Sequence, residues 1–144
     1  MALSMQNRGP DNQGTWVDAR MGIALGHRRL SIIDLSIEGH QPMASRCGRY
    51  YLTFNGEIYN HQSLRDELDG ENAAVSWKGH SDTEVLIASI VHWGLEATVK
   101  KCIGMFAFAL WDRQENCLHL VRDRLGIKPL YYGWVEGLFI FASE

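Results

Sequence analysis

The sequence has few cysteines, no long apolar run and little excess of either charge, and each shortage excludes a class of protein. The three cysteines, Cys47, Cys102 and Cys117, are an odd number without CxxC spacing. They argue against a disulfide framework or a zinc site and favour a reducing compartment, the cytoplasm. The longest apolar run, residues 103–111, is far too short to span a bilayer. No basic segment followed by an apolar stretch opens the chain, so no signal peptide is predicted.

The balance of charge is also uninformative about large anionic partners. A net charge of −3 gives no electrostatic reason to expect binding to nucleic acid or to an anionic membrane. With 144 residues, of which 46% are hydrophobic and 22% charged, the chain is long enough for one compact domain with its own core. We therefore expect a single domain over residues 1–144.

One stretch concentrates polar groups at the predicted end of a buried strand. The apolar run of residues 50–54 predicts a strand, and Asn55-Gly56 predicts a turn directly after it. Glu57 follows at once. The Asn55 side chain and the Gly56 N–H are two donors of the kind that form an oxyanion hole. An ordinary turn explains the same residues equally simply.

An arginine pair stands within an apolar segment. Residues 22–35 predict two strand segments, with Arg28 and Arg29 between or within them. Because neighbouring side chains of a strand point to opposite faces, one of the two is expected to face a group that needs a planar cation, such as a carboxylate. An internal salt bridge to Asp or Glu is the alternative.

The second half of the chain carries clear signals for helices and strands. Asn60 is predicted to cap a short helix, and Ser81 with Glu84 forms a capping box that begins a second helix. Asp82 lies in the first turn of that helix, where the helix dipole alone favours a carboxylate. From residue 103 two interleaved apolar sets predict a strand that is buried on both faces. A charged loop with a turn at Gly126 and a hairpin across Glu136-Gly137 follow.

Six of these segments occur in the order of one known family. They are residues 8–11 (RGPD), 26–34 (GHRRLSIID), 55–60 (NGEIYN), 81–84 (SDTE), 104–109 (GMFAFA) and 122–132 (RDRLGIKPLYY). Together they resemble the glutaminase domain of the glutamine-hydrolysing asparagine synthetases, a class II glutamine amidotransferase domain. The resemblance implies an α+β fold of the N-terminal-nucleophile (Ntn) hydrolase type, a four-layer αββα sandwich of two antiparallel sheets.

The resemblance also implies a function and a site. The expected reaction is hydrolysis of glutamine, with the ammonia passed to a synthetase domain that amidates aspartate and uses ATP and magnesium. No cofactor or metal is expected in this chain itself. Arg29 matches the clamp for the glutamine α-carboxylate, Ile33 supplies backbone contacts, and Asn55 and Gly56 match the oxyanion hole. Glu57 and Asp82 match acidic residues near the α-ammonium, and a homodimer is a further possibility. The charged loop, residues 122–129, is expected to be structural or interdomain.

One departure from the family pattern concerns the nucleophile. The family uses a cysteine at the mature N-terminus, upstream of the segment that matches residues 8–11, and the seven residues before that segment contain no cysteine. We expect a partial domain, without the nucleophile segment and the C-terminal synthetase domain, that is inactive as given. The alternatives are a non-catalytic glutamine-binding or partner-docking module, and a damaged gene fragment without function.

Overall fold

The computed structural model describes residues 12–29, 39–73 and 75–143 of the chain. In these ranges the strands pair only antiparallel, in a sheet of four strands and two separate hairpins. The elements are β1 (Asn12–Asp18), β2 (Ile23–Arg29), β3 (Met43–Ala44), β4 (Tyr50–Ile58), α1 (His61–Gly70), α2 (Asp82–Trp93), α3 (Leu95–Lys101), β5 (Gly104–Asp112), β6 (Cys117–Arg122), β7 (Tyr131–Val135) and β8 (Leu138–Ala142). The predicted α+β class is confirmed.

The central sheet has the order β3-β4-β5-β6 and places its apolar residues in facing pairs. In the pairing of β4 with β5, Phe54 lies opposite Phe108 and Leu52 opposite Leu110. Seven consecutive residues of β5, from Phe106 onward, are buried. The prediction of a strand buried on both faces is therefore confirmed, and β5 forms the centre of the fold.

Each face of this sheet is covered by a different layer. On one face Leu52 and Phe54 pack with Leu86 and Ile90 of α2 in the larger core. On the other face Trp111 packs against Leu25 of β2, and partly buried side chains of β1 and β8 complete this smaller core. Complete burial of a leucine contributes about 1.5–3 kcal/mol to folding, so α2 and β2 are both tied firmly to the sheet. Helices, central sheet and hairpins are three layers of the predicted sandwich.

The predicted turn at Asn55-Gly56 is wrong. Strand β4 continues through both residues to Ile58, with Gly56 opposite Phe106 of β5. Gly56 has a φ of +152°, and a Cβ atom there would lie 2.1 Å from the Met105 carbonyl oxygen. Glycine is required at this position because β5 approaches the backbone closely, and not because the chain turns.

The helix ends agree with the sequence in part. Ser81 caps α2, since the Glu84 N–H donates to Ser81 Oγ at 3.2 Å, and Gly94 ends the helix with a φ of +82°. The Glu84 side chain accepts the N–H groups of residues 78 and 79, which precede the N-cap, so the Ser81 half is the part of the predicted capping box that the described hydrogen bonds include. Asn60 precedes α1 but makes no capping hydrogen bond. Its side chain instead joins the carbonyl of Lys101 to the N–H of Ile103.

The charged loop of residues 122–129 is folded around one carboxylate, which supports its structural interpretation. Asp123 is 6% exposed, and its two oxygens accept four backbone N–H groups. The donors are Phe106, Leu125, Ile127 and Lys128, at 2.9–3.2 Å. The loop also turns at Gly126 as predicted, with a φ of +66°. The predicted helical residues 1–7 and the second strand segment after residue 29 lie outside the described residues.

Candidate functional site

One edge of β4 carries the residues that the sequence singles out. Among the described residues, strand β3 pairs only with Tyr51 and Leu52, so no described strand pairs with this edge of β4 beyond them. The N–H of Phe54 donates to Gln41 Oε1 at 2.6 Å, and the N–H of Ile58 donates to Asp82 Oδ2 at 2.9 Å. Two side chains thus replace a neighbouring strand at these positions.

The N–H of Gly56 points to the same edge. Backbone N–H groups of an antiparallel strand alternate between its two edges, so Phe54, Gly56 and Ile58 share one edge. The pairing with β5 agrees, because Phe106, which lies opposite Gly56, directs its own N–H and carbonyl to Asp123 on the far side. The Gly56 N–H therefore lies between two occupied donors and faces away from β5.

The side chains of β4 point alternately to the larger core and to the opposite face of the sheet. Leu52, Phe54 and Ile58 face the helices and belong to the larger core. Because side chains alternate, Asn55 and Glu57 project to the opposite face, where β1 and β2 pack, and both are half-buried. An amide and a carboxylate thus flank the Gly56 N–H on one side of the sheet.

Asp82 supplies a second carboxylate at the same corner. It is 5% exposed and lies at the first position of α2, where the helix dipole favours negative charge. Burial raises the pKa of Asp82, and the charge of Glu57 adds to this rise, while the N–H groups of Ile58 and Thr83 and the charge of His61 oppose it. Asp82 is therefore close enough to Glu57 for their charges to interact.

Strand β2 brings Arg29 toward this corner. His27 Nε2 lies 3.1 Å from the Phe54 carbonyl oxygen, and Thr53 Oγ1 donates to the Gly26 carbonyl at 3.4 Å. These contacts show that β2 and β4 advance in the same direction, which carries the backbone of Arg29 toward the level of Gly56. The Arg29 side chain and the whole of Ile33 lie outside the described residues.

The neighbouring Arg28 contacts a neutral side chain among the described residues. Arg28 is half-buried and donates from Nη1 to Gln13 Oε1 at 2.7 Å. Its buried Nε has no hydrogen-bond partner within the described part of the chain. The bond to Gln13 joins the cation to a neutral amide across the β1–β2 pair and not to a carboxylate.

Two residues of this corner were not predicted from the sequence. Gln41 and Thr83 are both buried, and Gln41 Nε2 donates to Thr83 Oγ1 at 3.4 Å. They are 42 positions apart, so no local spacing could have joined them. In the sequence, Thr83 is explained by the capping motif that surrounds it, so it carries no separate functional signal. Gln41 lies in a loop, where Pro42 is the neighbouring residue that indicates local structure.

Other kinds of site are not found in residues 12–29, 39–73 and 75–143. No group of three or more His, Cys, Asp or Glu residues in these ranges could hold a metal ion. None of the helices in the same ranges combines the length and hydropathy needed to cross a membrane.

Comparison with known proteins identifies the family to which the chain belongs. A family model described as a glutamine amidotransferase domain matches residues 1–144, the whole chain. The chain belongs to this family. The resemblance stated from the six sequence segments is thereby confirmed.

Individual relatives are similar over nearly the whole chain. Asparagine synthetase [glutamine-hydrolyzing] 1 of Bacillus subtilis is 44% identical over 138 residues, which cover 96% of this chain and 21% of the relative. A putative asparagine synthetase of Mycobacterium tuberculosis is 46% identical, with 97% and 22% covered. Amidase chyE of Penicillium rubens is 44% identical, with 96% and 20% covered. The chain thus spans about a fifth of the length of these relatives.

Proposed function

We propose that this chain is a glutaminase domain that binds glutamine at the open edge of β4. The observation that carries the proposal is the Gly56 N–H, which faces this edge between two N–H groups that side chains already occupy. With the Asn55 amide beside it, this N–H forms an oxyanion hole for the side-chain carbonyl of glutamine. A single donor of this kind contributes about 2.7–4 kcal/mol to the stability of a tetrahedral intermediate.

The same proposal assigns the charged residues to the two ends of the amino acid. Glutamine is a zwitterion, so its site needs a fixed cation and a fixed anion. Arg29 binds the α-carboxylate through its planar guanidinium, and Ile33 contributes backbone contacts. Glu57 and Asp82 lie near the α-ammonium. The interaction between the charges of these two carboxylates supports this, since an ammonium group between them would relieve their repulsion.

We also propose that these 144 residues bind glutamine without hydrolysing it. Cys47 and Cys117 lie at the end of the sheet near Tyr50 and Asp112, about 20 Å along β4 from Gly56 at ~3.3 Å per residue. Cys102 is nearer, but it is buried in the core, where burial raises the pKa of its thiol to about 11. A protonated thiol is a poor nucleophile, so none of the three cysteines replaces the nucleophile of the family.

The whole protein is proposed to be a glutamine-hydrolysing asparagine synthetase of the cytoplasm. In such an enzyme the ammonia released at this site passes to a synthetase domain, which amidates aspartate with ATP and magnesium. The names and lengths of two of the relatives support this proposal. A homodimer is a further part of it, and residues 1–144 are proposed to form one domain.

Calorimetric titration of the chain with glutamine tests the proposal. We expect binding by the unchanged chain and a loss of about tenfold in affinity for Glu57→Gln, which removes a charge-assisted bond to the ammonium. Glu96→Gln is the matched control, because Glu96 is an exposed carboxylate paired with Lys100 on α3. Equal affinity of the two variants would exclude Glu57 from the site, and no binding by the unchanged chain would refute the proposed function.

Docking of a partner is the second candidate function. Hairpin β7–β8 exposes large apolar side chains, with Tyr132, Trp134 and Leu138 each 69–73% accessible. Aromatic residues at this exposure favour contact with another protein surface. If the unchanged chain binds no glutamine, this reading replaces the first, and sedimentation of the chain with and without Trp134→Ser would then test self-association.

A further inference from the structure

A continuous series of hydrogen bonds runs along the open edge of β4 and spans Gly56. It begins at the Phe54 N–H, which donates to Gln41 Oε1 at 2.6 Å, and Gln41 Nε2 donates in turn to Thr83 Oγ1 at 3.4 Å. Thr83 Oγ1 then donates to Asp82 Oδ1 at 3.4 Å. The series ends at the Ile58 N–H, which donates to Asp82 Oδ2 at 2.9 Å.

The chemistry of each group fixes the direction of every bond in this series. The amide oxygen of Gln41 must face the Phe54 N–H, so its NH2 group faces Thr83. The Thr83 hydroxyl accepts that bond and therefore has its own proton available for Asp82. Both oxygens of Asp82 are then acceptors, an arrangement that favours the ionised carboxylate.

We propose that Gln41 and Thr83 are positioning residues that hold the two halves of the glutamine site in register. The inference rests on the proposed function of the β4 edge. Gln41 fixes the strand two residues before the Gly56 donor, and Thr83 fixes the carboxylate that faces the α-ammonium. Neither residue touches the substrate, and both are buried. They act by joining the loop before β3 and the first turn of α2 to the strand between them.

The carboxylate of Asp82 makes this role measurable through pH. The titratable groups whose charges act on it are His61 at the start of α1 and Glu57 of β4. Burial already raises the pKa of Asp82, and loss of a donor to its ionised form raises that pKa further. As the solution is acidified, a variant that lacks this donor should therefore lose glutamine binding at a higher pH than the unchanged chain. The reason is that protonated, neutral Asp82 attracts the ammonium group only weakly.

The test uses the full chain and replaces Thr83 with valine, which has nearly the same volume, and with the smaller serine. Thr83→Val removes the hydroxyl, Thr83→Ser restores it, and Thr98→Val is the matched control. Thr98 is also fully buried, and its hydroxyl donates to the Gly94 carbonyl of α3 at 2.8 Å, away from β4. Affinity for glutamine is measured by calorimetry from pH 5 to pH 8, together with the melting temperature of each variant.

We expect Thr83→Val to bind glutamine about tenfold more weakly at pH 7 and to lose binding at a higher pH on acidification. Thr83→Ser should restore both properties, and Thr98→Val should change only the melting temperature. If Thr83→Val does not fold, Gln41→Glu gives the same readout. Its carboxylate still accepts the Phe54 N–H but cannot donate to Thr83, whose proton turns away from Asp82.

The outcomes separate the inference from the function on which it rests. The positioning role is overturned if Thr83→Val, or Gln41→Glu, has the same affinity for glutamine as the unchanged chain and loses binding at the same pH on acidification. Glutamine binding by the unchanged chain would still stand in that case. A parallel loss in Thr83→Val and Thr98→Val overturns it too, because general destabilisation would then explain both. No binding by the unchanged chain overturns the proposed function and this inference together.

Discussion

Replacing Gly56 with alanine should destabilise the chain more than any exchange on its surface. The new Cβ would lie 2.1 Å from the Met105 carbonyl oxygen, where ordinary contact begins near 3.4 Å, and 2.6 Å from Phe106 Cα. Both obstacles are backbone atoms of β5, the strand buried on both faces, so they cannot move aside as the end of a side chain would. Either the two central strands separate by about 1.3 Å or Gly56 leaves its present conformation.

The expected magnitude follows from two contributions. A non-glycine residue at a φ of +152° costs about 1–3 kcal/mol in backbone strain, and overpacking of a filled core costs about 1–3 kcal/mol more. The free energy of unfolding should fall by about 2–6 kcal/mol. With a denaturant slope of about 2 kcal/mol per molar urea, the unfolding midpoint drops by about 1–3 M.

Urea denaturation followed by circular dichroism measures this midpoint. Another glycine that lies within a strand, Gly133, supplies the control. Gly133 lies in β7 opposite Ile140, and a Cβ there would meet nothing within 4 Å. Gly133→Ala should be neutral or stabilising by up to about 1 kcal/mol. A midpoint for Gly56→Ala equal to that of the unchanged chain would refute the reasoning, as would an equal loss in the two variants.

Three further predictions concern the clamp, the charged loop and a helix cap. Arg29→Lys should weaken glutamine binding by about 1–3 kcal/mol through loss of the bidentate fork, and Arg28→Lys should not; equal calorimetric affinities would remove Arg29 from the site. Asp123→Asn should lower the melting temperature at pH 7. Backbone donors, led by the N–H of Lys128, hold the pKa of Asp123 below its usual value, so its stabilisation is present above an unfolded pKa of about 3.9 and is lost as pH falls through the lower folded value. The difference in melting temperature between Asp123→Asn and the unchanged chain should therefore narrow in acid. A difference that does not change with pH would contradict this cause. Ser81→Ala should cost about 1 kcal/mol in urea denaturation, and no loss would show that the cap contributes nothing.

Features whose cause is local were predicted well from the sequence. The two apolar sets of β5 and the glycines that end α2 and turn the charged loop all lie within the segments that they shape. Ser81 is a similar case, since its capping bond reaches only three residues along the chain. Local spacing carries enough information for elements of this kind.

Features with a distant cause were predicted wrongly or not at all. Gly56 looked like a turn residue because its neighbour is asparagine, whereas its reason is the approach of β5 about fifty positions later. Asn60 has the sequence signal of a helix cap, but its side chain bonds to Lys101 at the end of α3 and to Ile103 just before β5, which are 41 and 43 positions away. Gln41 gave no signal for the same reason, because its partners Phe54 and Thr83 meet it only in the folded chain.

The way in which the β4 edge is occupied also determines what can attach to it. A bare strand edge is a template for another strand, and long exposed edges lead to β-addition and aggregation. From Phe54 to Ile58, about 13 Å of strand, both outer donors are held by side chains of Gln41 and Asp82. Of the three N–H groups that face this edge, side chains in the described part of the chain occupy two, which leaves too few donors for the ladder that an incoming peptide would need. The side chains of Gln41 and Asp82 thus protect this edge from strand addition, and under the proposed function the same two side chains leave one donor for a single carbonyl oxygen.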